Sequence, residues 1–449
     1  MSDFFSPISK NSYIFAKKGN PLFGTVQISG AKNMVTKIMT ASLIATRGKL
    51  IIKNIPLIDE VFITLKLFDQ LGVKYKINPD KSLEIEPGEF NSSRVRFATE
   101  NESNRISLLL IVPIISRFGE AIVPRPGGCK IGKRKIDYHI KGLEAFGVKI
   151  REKPGFLHMK LGKKGLRGSH FHLPFPSVGA TENFIMAGVC AKGETIIDNC
   201  AVEPEIIELI KFFQNAGVEI LIHGDRSIYI KGTNDIRLSE VVVVPDRVET
   251  ISFAVAALST KGDVFLKGAR QDLMITPLGI LKKMGAGIEV KEEGIRFFYK
   301  GSLKPVSVAT DVYPGFPTDF QQPLGILLSQ VKGRSLIHET IFEDRFGYLK
   351  VLNPLIVSGK RFVVGKICPQ GTRCRFWGKK RPHLSEIEGP VRFGEGQIYI
   401  SDLRAGFALL NAACLSNGIK VYNLGLLSRG YENPVGKLKS LGANIELIR

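Results

Sequence analysis

The chain repeats itself, and that limits its fold more than any other feature. Six times an apolar, small-residue segment ends at a glycine and runs into a strand-like stretch: 41–46 before Gly48, 107–116 before Gly119, 184–191 before Gly193, 251–258 before Gly262, 324–331 before Gly333 and 407–415 before Gly418. Successive glycines lie 71, 74, 69, 71 and 85 residues apart, a period of about 70. Between these segments runs a second, amphipathic helix that ends at Gly72, Gly147, Gly217, Gly285 and Gly442, with a degenerate fifth copy near 352–359. Glycine in such a place is the expected left-handed helix terminator. Each unit therefore reads helix, strand, helix, strands. The first helix is apolar nearly all round, as in Phe184-Ile185-Met186-Ala187-Gly188-Val189-Cys190-Ala191, and so must be buried on every side. One unit cannot bury such a helix alone, whereas several around a common axis can. The predicted fold is α/β: a two-domain inside-out α/β barrel of six repeated helix–strand units, with buried parallel helices and sheets outside. The join is expected near 241–245, with one domain over 32–244 carrying a loop around Cys129 and the other made of 1–31 and 245–449.

Charge then narrows the partners. Lys and Arg exceed Asp and Glu by 21 in 449 residues, which fits nucleic acid, an anionic membrane or small polyanions. No zinc finger, RNP-type aromatic strand or helix-turn-helix pattern is present, and the cations are spread along the chain, so nucleic acid is disfavoured and small anionic substrates are expected. The longest apolar run, 106–115, contains Pro113 and falls well short of the ~20 residues that span a bilayer. Residues 1–20 have no signal-type apolar core. The chain reads as a cytoplasmic monomer. Its six cysteines form no C-x-x-C pair, and Cys368 and Cys374 lack zinc-site spacing. Free thiols, no metal and no cofactor are the expectation, since no nicotinamide or flavin fingerprint appears either.

Polar residues gather just before each buried helix: 29–33, 104–105, 177–183, 245–250, 317–320 and 401–404. Helix N-termini attract anions, and two such bodies face to face would line one cleft with them. The Ser, Thr and Asp of these runs can all be read as N-caps, a reading that covers most of what Ser177 and Thr318 need. Lys32, Arg105 and Arg404 cannot, because a cation at a helix N-terminus is unfavourable unless an anion compensates. One loop, Pro126-Gly127-Gly128-Cys129-Lys130-Ile131-Gly132-Lys133-Arg134, sets a thiol among glycines and cations. The glycines make it a candidate mobile lid, and the charges favour thiolate at Cys129. An incidental cysteine in a basic surface loop is the alternative for this stretch taken alone.

Eight motifs in order carry a family resemblance: Ile28-Ser29-Gly30-Ala31-Lys32-Asn33, the 126–134 loop, Ser177-Val178-Gly179-Ala180-Thr181, Pro245-Asp246-Arg247-Val248-Glu249-Thr250, Phe316-Pro317-Thr318-Asp319, Glu343-Asp344-Arg345-Phe346, Asp402-Leu403-Arg404-Ala405 and Arg429-Gly430-Tyr431-Glu432. Over nearly its whole length the chain resembles the UDP-N-acetylglucosamine 1-carboxyvinyltransferase family, the enolpyruvyl transferases that open peptidoglycan synthesis. The resemblance implies that a sugar 3′-hydroxyl adds to C2 of phosphoenolpyruvate and phosphate leaves. It implies Cys129 as general acid, able also to hold the enolpyruvyl group covalently, and Asp319 as the base, with Lys32 and Arg404 also catalytic. Lys32, Asn33, Arg134, Arg345, Arg404 and Arg429 match residues around phosphoenolpyruvate. Arg105, Arg134, Lys135, Ile136, Asp137, Tyr138, Phe175, Pro176, Ser177, Val178, Asp319 and Ile341 match the nucleotide-sugar contacts.

The chain departs from the family pattern in four places. Lys135 stands where proline is usual, Ser428 where an acid precedes Arg429, and Asn104-Arg105-Ile106-Ser107 is a relaxed motif. Between Arg345 and Arg404 the chain is about twenty residues longer than the family pattern. The extra stretch carries Lys360, Arg361, Lys366, Cys368, Arg373, Cys374, Arg375, Trp377, Lys379, Lys380 and Arg381. It reads as an extended, solvated β-excursion of the fifth unit, with a partner-binding insertion as the alternative. The sister enzymes acting on shikimate 3-phosphate share the architecture but not the lid cysteine or the Gly30-Ala31-Lys32-Asn33 reading.

Overall fold

A computed structural model of the chain describes residues 12–88, 91–97, 104–127, 131–132, 135–366, 368, 374, 376 and 383–449. The described residues divide by their contacts into two compact units, the first within 30–128 and 135–244, the second within 12–29, 131–132 and 245–449.

Both units are α/β, built from one recurring pattern. In the first unit an apolar helix leads into a strand three times: Lys32–Ser42 into Leu50–Lys53, Ile106–Leu109 with Ile111–Phe118 into Glu120–Pro124, and Val178–Cys190 into Glu194–Asp198. The second of these helices is interrupted at Leu110, and Pro113 sits in its next turn; proline has no N–H to give back to residue 109. In the second unit Arg247–Ser259 leads into Asp263–Lys267, Gln321–Leu328 into Gly333–His338, and Leu403–Ala413 into Ser416–Tyr422. Every residue of these last three helices is buried, the outcome expected of helices without a polar face. They pack on one another. Phe253 meets Phe407 edge-on at 4.8 Å, and Asn411 Nδ2 donates to the Ser252 carbonyl at 3.2 Å.

Strand pairing repeats as faithfully as the helices. The strand after each helix pairs antiparallel on one side and parallel on the other: Leu50–Lys53 with Leu83–Glu86 and Glu240–Val242, Glu194–Asp198 with Ile228–Lys231 and His170–His172, Asp263–Lys267 with Gly294–Phe298 and Phe23–Gln27, Gly333–His338 with Leu384–Gly389 and Ser307–Ala309. Ser416–Tyr422 follows the rule with Tyr13–Lys17 and Arg392–Tyr399. Glu120–Pro124 has its antiparallel partner in Phe156–Leu161 and one parallel bridge, Arg94 to Ile122.

The amphipathic second helices end where glycine was predicted to end them. Gly72, Gly147, Gly217, Gly285 and Gly442 have φ of 78°, 95°, 93°, 98° and 92°, conformations that cost a side chain about 1 kcal/mol or more. The fifth copy is the short helix Gly347–Leu352 with a single 3₁₀ turn after it. The extra stretch extends this fifth unit, because Val363–Lys366 pairs antiparallel with Leu384–Gly389. Lys360 and Lys366 reach Glu388 and Glu386, each at 2.7 Å. Arg373, Arg375, Trp377, Lys379, Lys380 and Arg381 lie outside the described residues.

Candidate active site

In the second unit a buried carboxylate builds the site. Glu339, just past the strand Gly333–His338, is fully enclosed and accepts five hydrogen bonds. Thr310 Oγ1, Thr318 Oγ1 and Gln321 Nε2 donate at 3.0, 2.7 and 3.1 Å, and the amides of Ile341 and Phe342 at 2.8 and 3.1 Å. A carboxylate so satisfied can be buried, and it ties the Thr318–Phe320 turn to the loop that carries Ile341 and leads to Arg345. Neither signal for this role, Glu339 itself or the threonines, was apparent in the linear sequence.

That turn presents Asp319 to two arginines. Arg345 Nη2 donates to its Oδ1 at 2.8 Å and Arg404 Nε to its Oδ2 at 3.1 Å. The Asp319 side chain keeps 29% of its surface in solvent, while those of Arg345 and Arg404 keep 3% and 4%. Arg345 Nη1 also donates to Thr318 Oγ1 at 2.7 Å, and its Nε faces Asp402 Oδ2 at 3.5 Å. Burial alone would lower the pKa of both guanidinium groups. Attraction to Asp319 reverses this in each, helped by Asp402 and Glu339 at Arg345, so both are held above the ordinary arginine value. Arg404 Nη1 and Nη2 are buried and meet no protein acceptor in full hydrogen-bond geometry, the Tyr431 hydroxyl interacting with the guanidinium without satisfying it. Its guanidinium lies 5.7 Å from the Tyr431 ring centroid, and Tyr431 Oη pairs with Ser252 Oγ at 3.1 Å. Arg429, two residues earlier, is buried at the end of the short helix Gly425–Ser428.

The capping expectation holds for the aspartates of these runs and not for Ser177 or Thr318. Ser177 makes no side-chain cap, and the Thr318 hydroxyl serves Glu339 and Arg345 instead. Aspartates do the capping: Asp246 accepts the Val248 and Glu249 amides, and Asp402 accepts that of Arg404. Glu249 in turn accepts the Ser29 amide at 2.7 Å and pairs with Lys437 at 2.6 Å.

The first unit gathers the other set of expected residues. Lys32 and Asn33 open the helix Lys32–Ser42, and Gly30 before them is required by close approach: a Cβ there would lie 2.0 Å from the Asn54 carbonyl oxygen. Arg105 Nη2 reaches the Lys135 carbonyl at 3.5 Å. Ile136 and Asp137 begin the helix Asp137–Ala145, which also carries Tyr138. Its His139 accepts from Asn183 Nδ2 at 2.8 Å, and burial, with Arg105 nearby, pushes its pKa down to about 3. Gly179 backs onto the same imidazole, which brings the half-buried run Phe175, Pro176, Ser177 and Val178 to this corner. Glu182, buried in the helix Val178–Cys190, is pushed up to about 7 by desolvation, with Lys37 and Lys32 opposing and Glu205 and Glu203 reinforcing the shift.

Cys129 and Arg134 lie outside the described residues. From the same loop the Ile131 carbonyl accepts the Asp344 amide at 3.3 Å, and Gly132, at φ 126°, abuts Glu343. Three other thiols, Cys190, Cys200 and Cys414, are pushed up to about 12 by burial, the state of inert core cysteines.

Beginning at the residue before Glu339, His338, Cys368, Cys374 and His383 converge, each offering one ligand atom within 4.8 Å of the others. The absence of a local C-x-x-C pattern argued against this. His338 ends one strand, His383 sits just before its antiparallel partner, and the cysteines lie in the chain between them, so spacing within one segment could not reveal the cluster.

Residues 16–438 match the model of the EPSP synthase (3-phosphoshikimate 1-carboxyvinyltransferase) family. The chain is 42% identical over 442 residues to the UDP-N-acetylglucosamine 1-carboxyvinyltransferase of Protochlamydia amoebophila, covering 96% of this chain and 93% of the relative. It is 43% identical over 435 residues to the protein of that name from Chlamydia abortus, covering 96% and 97%. Among solved structures, the enolpyruvyl transferase NikO from Streptomyces tendae superposes with a TM-score of 0.83 at 20% identity, covering 97% of this chain and 98% of that one.

Proposed function

The chain belongs to the UDP-N-acetylglucosamine 1-carboxyvinyltransferase family, and on that premise we propose that it transfers the enolpyruvyl group of phosphoenolpyruvate to the 3′-hydroxyl of UDP-N-acetylglucosamine, releasing phosphate. This is the reaction that opens peptidoglycan synthesis. The observation that carries the reading is the pair of buried, unsatisfied Arg404 nitrogens beside an Asp319 carboxylate that still meets solvent. Buried guanidinium N–H groups call for an anionic acceptor, and a planar fork suits a phosphate or carboxylate.

In the proposed reaction the sugar hydroxyl oxygen bonds to C2 while the double bond delivers its electrons to C3. Asp319 accepts the hydroxyl proton, and Cys129 supplies the proton that C3 gains. The Cys129 thiolate then takes a proton back from C3, and the double bond re-forms as the C2–O bond to phosphate breaks and phosphate departs. Two charge-assisted hydrogen bonds fix the orientation of Asp319 and leave its exposed edge for the hydroxyl. Lys32, Asn33, Arg134, Arg345, Arg404 and Arg429 are assigned to phosphoenolpyruvate. The nucleotide sugar is assigned to Arg105, Arg134, Lys135, Ile136, Asp137, Tyr138, Phe175, Pro176, Ser177, Val178, Asp319 and Ile341. The two substrates together carry about four to five negative charges, which this many cations can balance.

Each unit is further inferred to be an α/β barrel turned inside out. The wholly buried helices of the second unit support this, as does alternate burial along strands such as Asp263–Lys267. Phosphate release with each acceptor tests the function. Release is expected with UDP-N-acetylglucosamine and phosphoenolpyruvate, and not with shikimate 3-phosphate. The family model's own name favours the second acceptor, and release with shikimate 3-phosphate alone would reverse the assignment.

A further inference from the structure

The sheet that holds Gly333–His338 and Leu384–Gly389 ends in a cluster that the transfer reaction does not use. His338 closes the strand Gly333–His338, and His383 immediately precedes Leu384–Gly389, with His338 registered against Leu384. The two imidazole rings lie 5.2 Å apart between centroids. Cys368 and Cys374 come from the connection after Val363–Lys366, within the stretch that lengthens this chain. Cys374 Sγ is 3.3 Å from His383 Nε2 and accepts the Phe376 amide at 3.4 Å. His338 is 9% exposed, and its Nε2 is buried with no hydrogen-bond partner. Cys368 and His383 are buried too, at 7% and 1%.

We propose that His338, Cys368, Cys374 and His383 form a structural zinc site. Two thiolates and two imidazoles are a donor set that selects Zn(II) in tetrahedral geometry. Ligand atoms at most 4.8 Å apart need only rotamer-scale movement to reach the edges of roughly 3.3–3.8 Å that Zn–S and Zn–N bond lengths impose. Binding exchanges two thiol protons for one dication, so the completed site is electrically neutral and suited to burial. The Phe376 amide is placed to stabilise one thiolate from behind, the outer support that metal-bound sulfur commonly receives. With four protein ligands no position is left for substrate, so the metal braces structure.

What it braces is specific. The residue after His338 is Glu339, the carboxylate that holds Thr310, Thr318, Gln321 and the Ile341 and Phe342 amides. Zinc would therefore pin the additional stretch to the strand end that orients the Asp319 turn.

The full-length chain, purified without a histidine tag or chelator, tests this by elemental analysis. About one zinc per chain is expected. Cys368→Ser with Cys374→Ser should lose it, whereas Cys190→Ser and Cys414→Ser should retain it. Cobalt titration of the chelator-stripped wild-type chain does not depend on the variants folding. It should give intense tetrahedral d–d absorption with thiolate-to-metal charge transfer, abolished by competing zinc. Folded wild-type protein that retains no zinc and gives no such cobalt spectrum would overturn the proposal. A cobalt spectrum lacking thiolate charge transfer, or a Cys368–Cys374 disulfide in the purified chain, would do the same.

Discussion

Asp319 shows how much one residue's surroundings decide. Its two oxygens are spoken for by Arg345 and Arg404, so changing it to alanine would remove the proposed base and also leave two buried guanidinium groups without that carboxylate. That defect costs about 3–5 kcal/mol where a buried pair is broken. Asparagine keeps the shape and isolates the chemistry. Asp319→Asn is expected to lower turnover by about 10²–10⁴-fold, the usual worth of a positioned base, while calorimetric affinity for UDP-N-acetylglucosamine changes only a few-fold. An effect confined to affinity would make Asp319 a binding residue. At this scale the sequence was informative where short motifs carry the group, as in Thr318-Asp319, Asp344-Arg345 and Asp402-Leu403-Arg404. It was silent on Glu339, whose partners range from Thr310 to Phe342, and on His338 and His383, 45 residues apart. Such groupings exist only after strands have paired.

Among the elements, the helix Val178–Cys190 carries an unusual load, with Thr181, Glu182 and Asn183 all buried in an otherwise apolar helix. Thr181 Oγ1 accepts the Ala201 amide at 3.1 Å, and Asn183 donates to His139. Glu182 is held by desolvation near a pKa of 7, against 4.5 for a free glutamate. The folded state thus binds this proton more tightly than the unfolded one. Its contribution to stability is complete below about 4.5 and is lost as pH rises through about 7, a swing of about 3 kcal/mol. Glu182→Gln, which mimics the protonated form, should match the wild type near pH 4 and be more stable near pH 8 in urea unfolding. A variant that loses stability between those values as steeply as the wild type would refute the assignment. The apolar period foretold these helices because burial on all sides leaves no other arrangement. It could not tell which polar residue caps and which is buried, since Ser177, Asp246 and Asp402 look alike before their neighbours are known.

For the whole molecule, the order in which sheets close follows from chain connectivity. The three sheets of the first unit draw their strands from between Leu50 and Val242, inside one stretch of chain. Two sheets of the second unit cannot close that way. Phe23–Gln27 is the parallel partner of Asp263–Lys267, and Tyr13–Lys17 lies between Ser416–Tyr422 and Asn444–Ile448. The repeat period gave the number of units, but strand partners more than 400 residues apart leave no trace in a local pattern. Contacts of such separation cost loop entropy before they repay it, so the second unit must wait for the chain's far end. A fragment of residues 30–244 is accordingly expected to show native-like circular dichroism and a cooperative melt. A fragment of 245–449 should not, because two sheets would present unpaired edges where the 13–17 and 23–27 strands belong. Adding residues 1–29 as a separate peptide should restore a cooperative transition whose midpoint rises with peptide concentration, as linkage requires. Cooperative folding of 245–449 without the peptide would mean that its core helices, and not the closing strands, decide the stability of that unit.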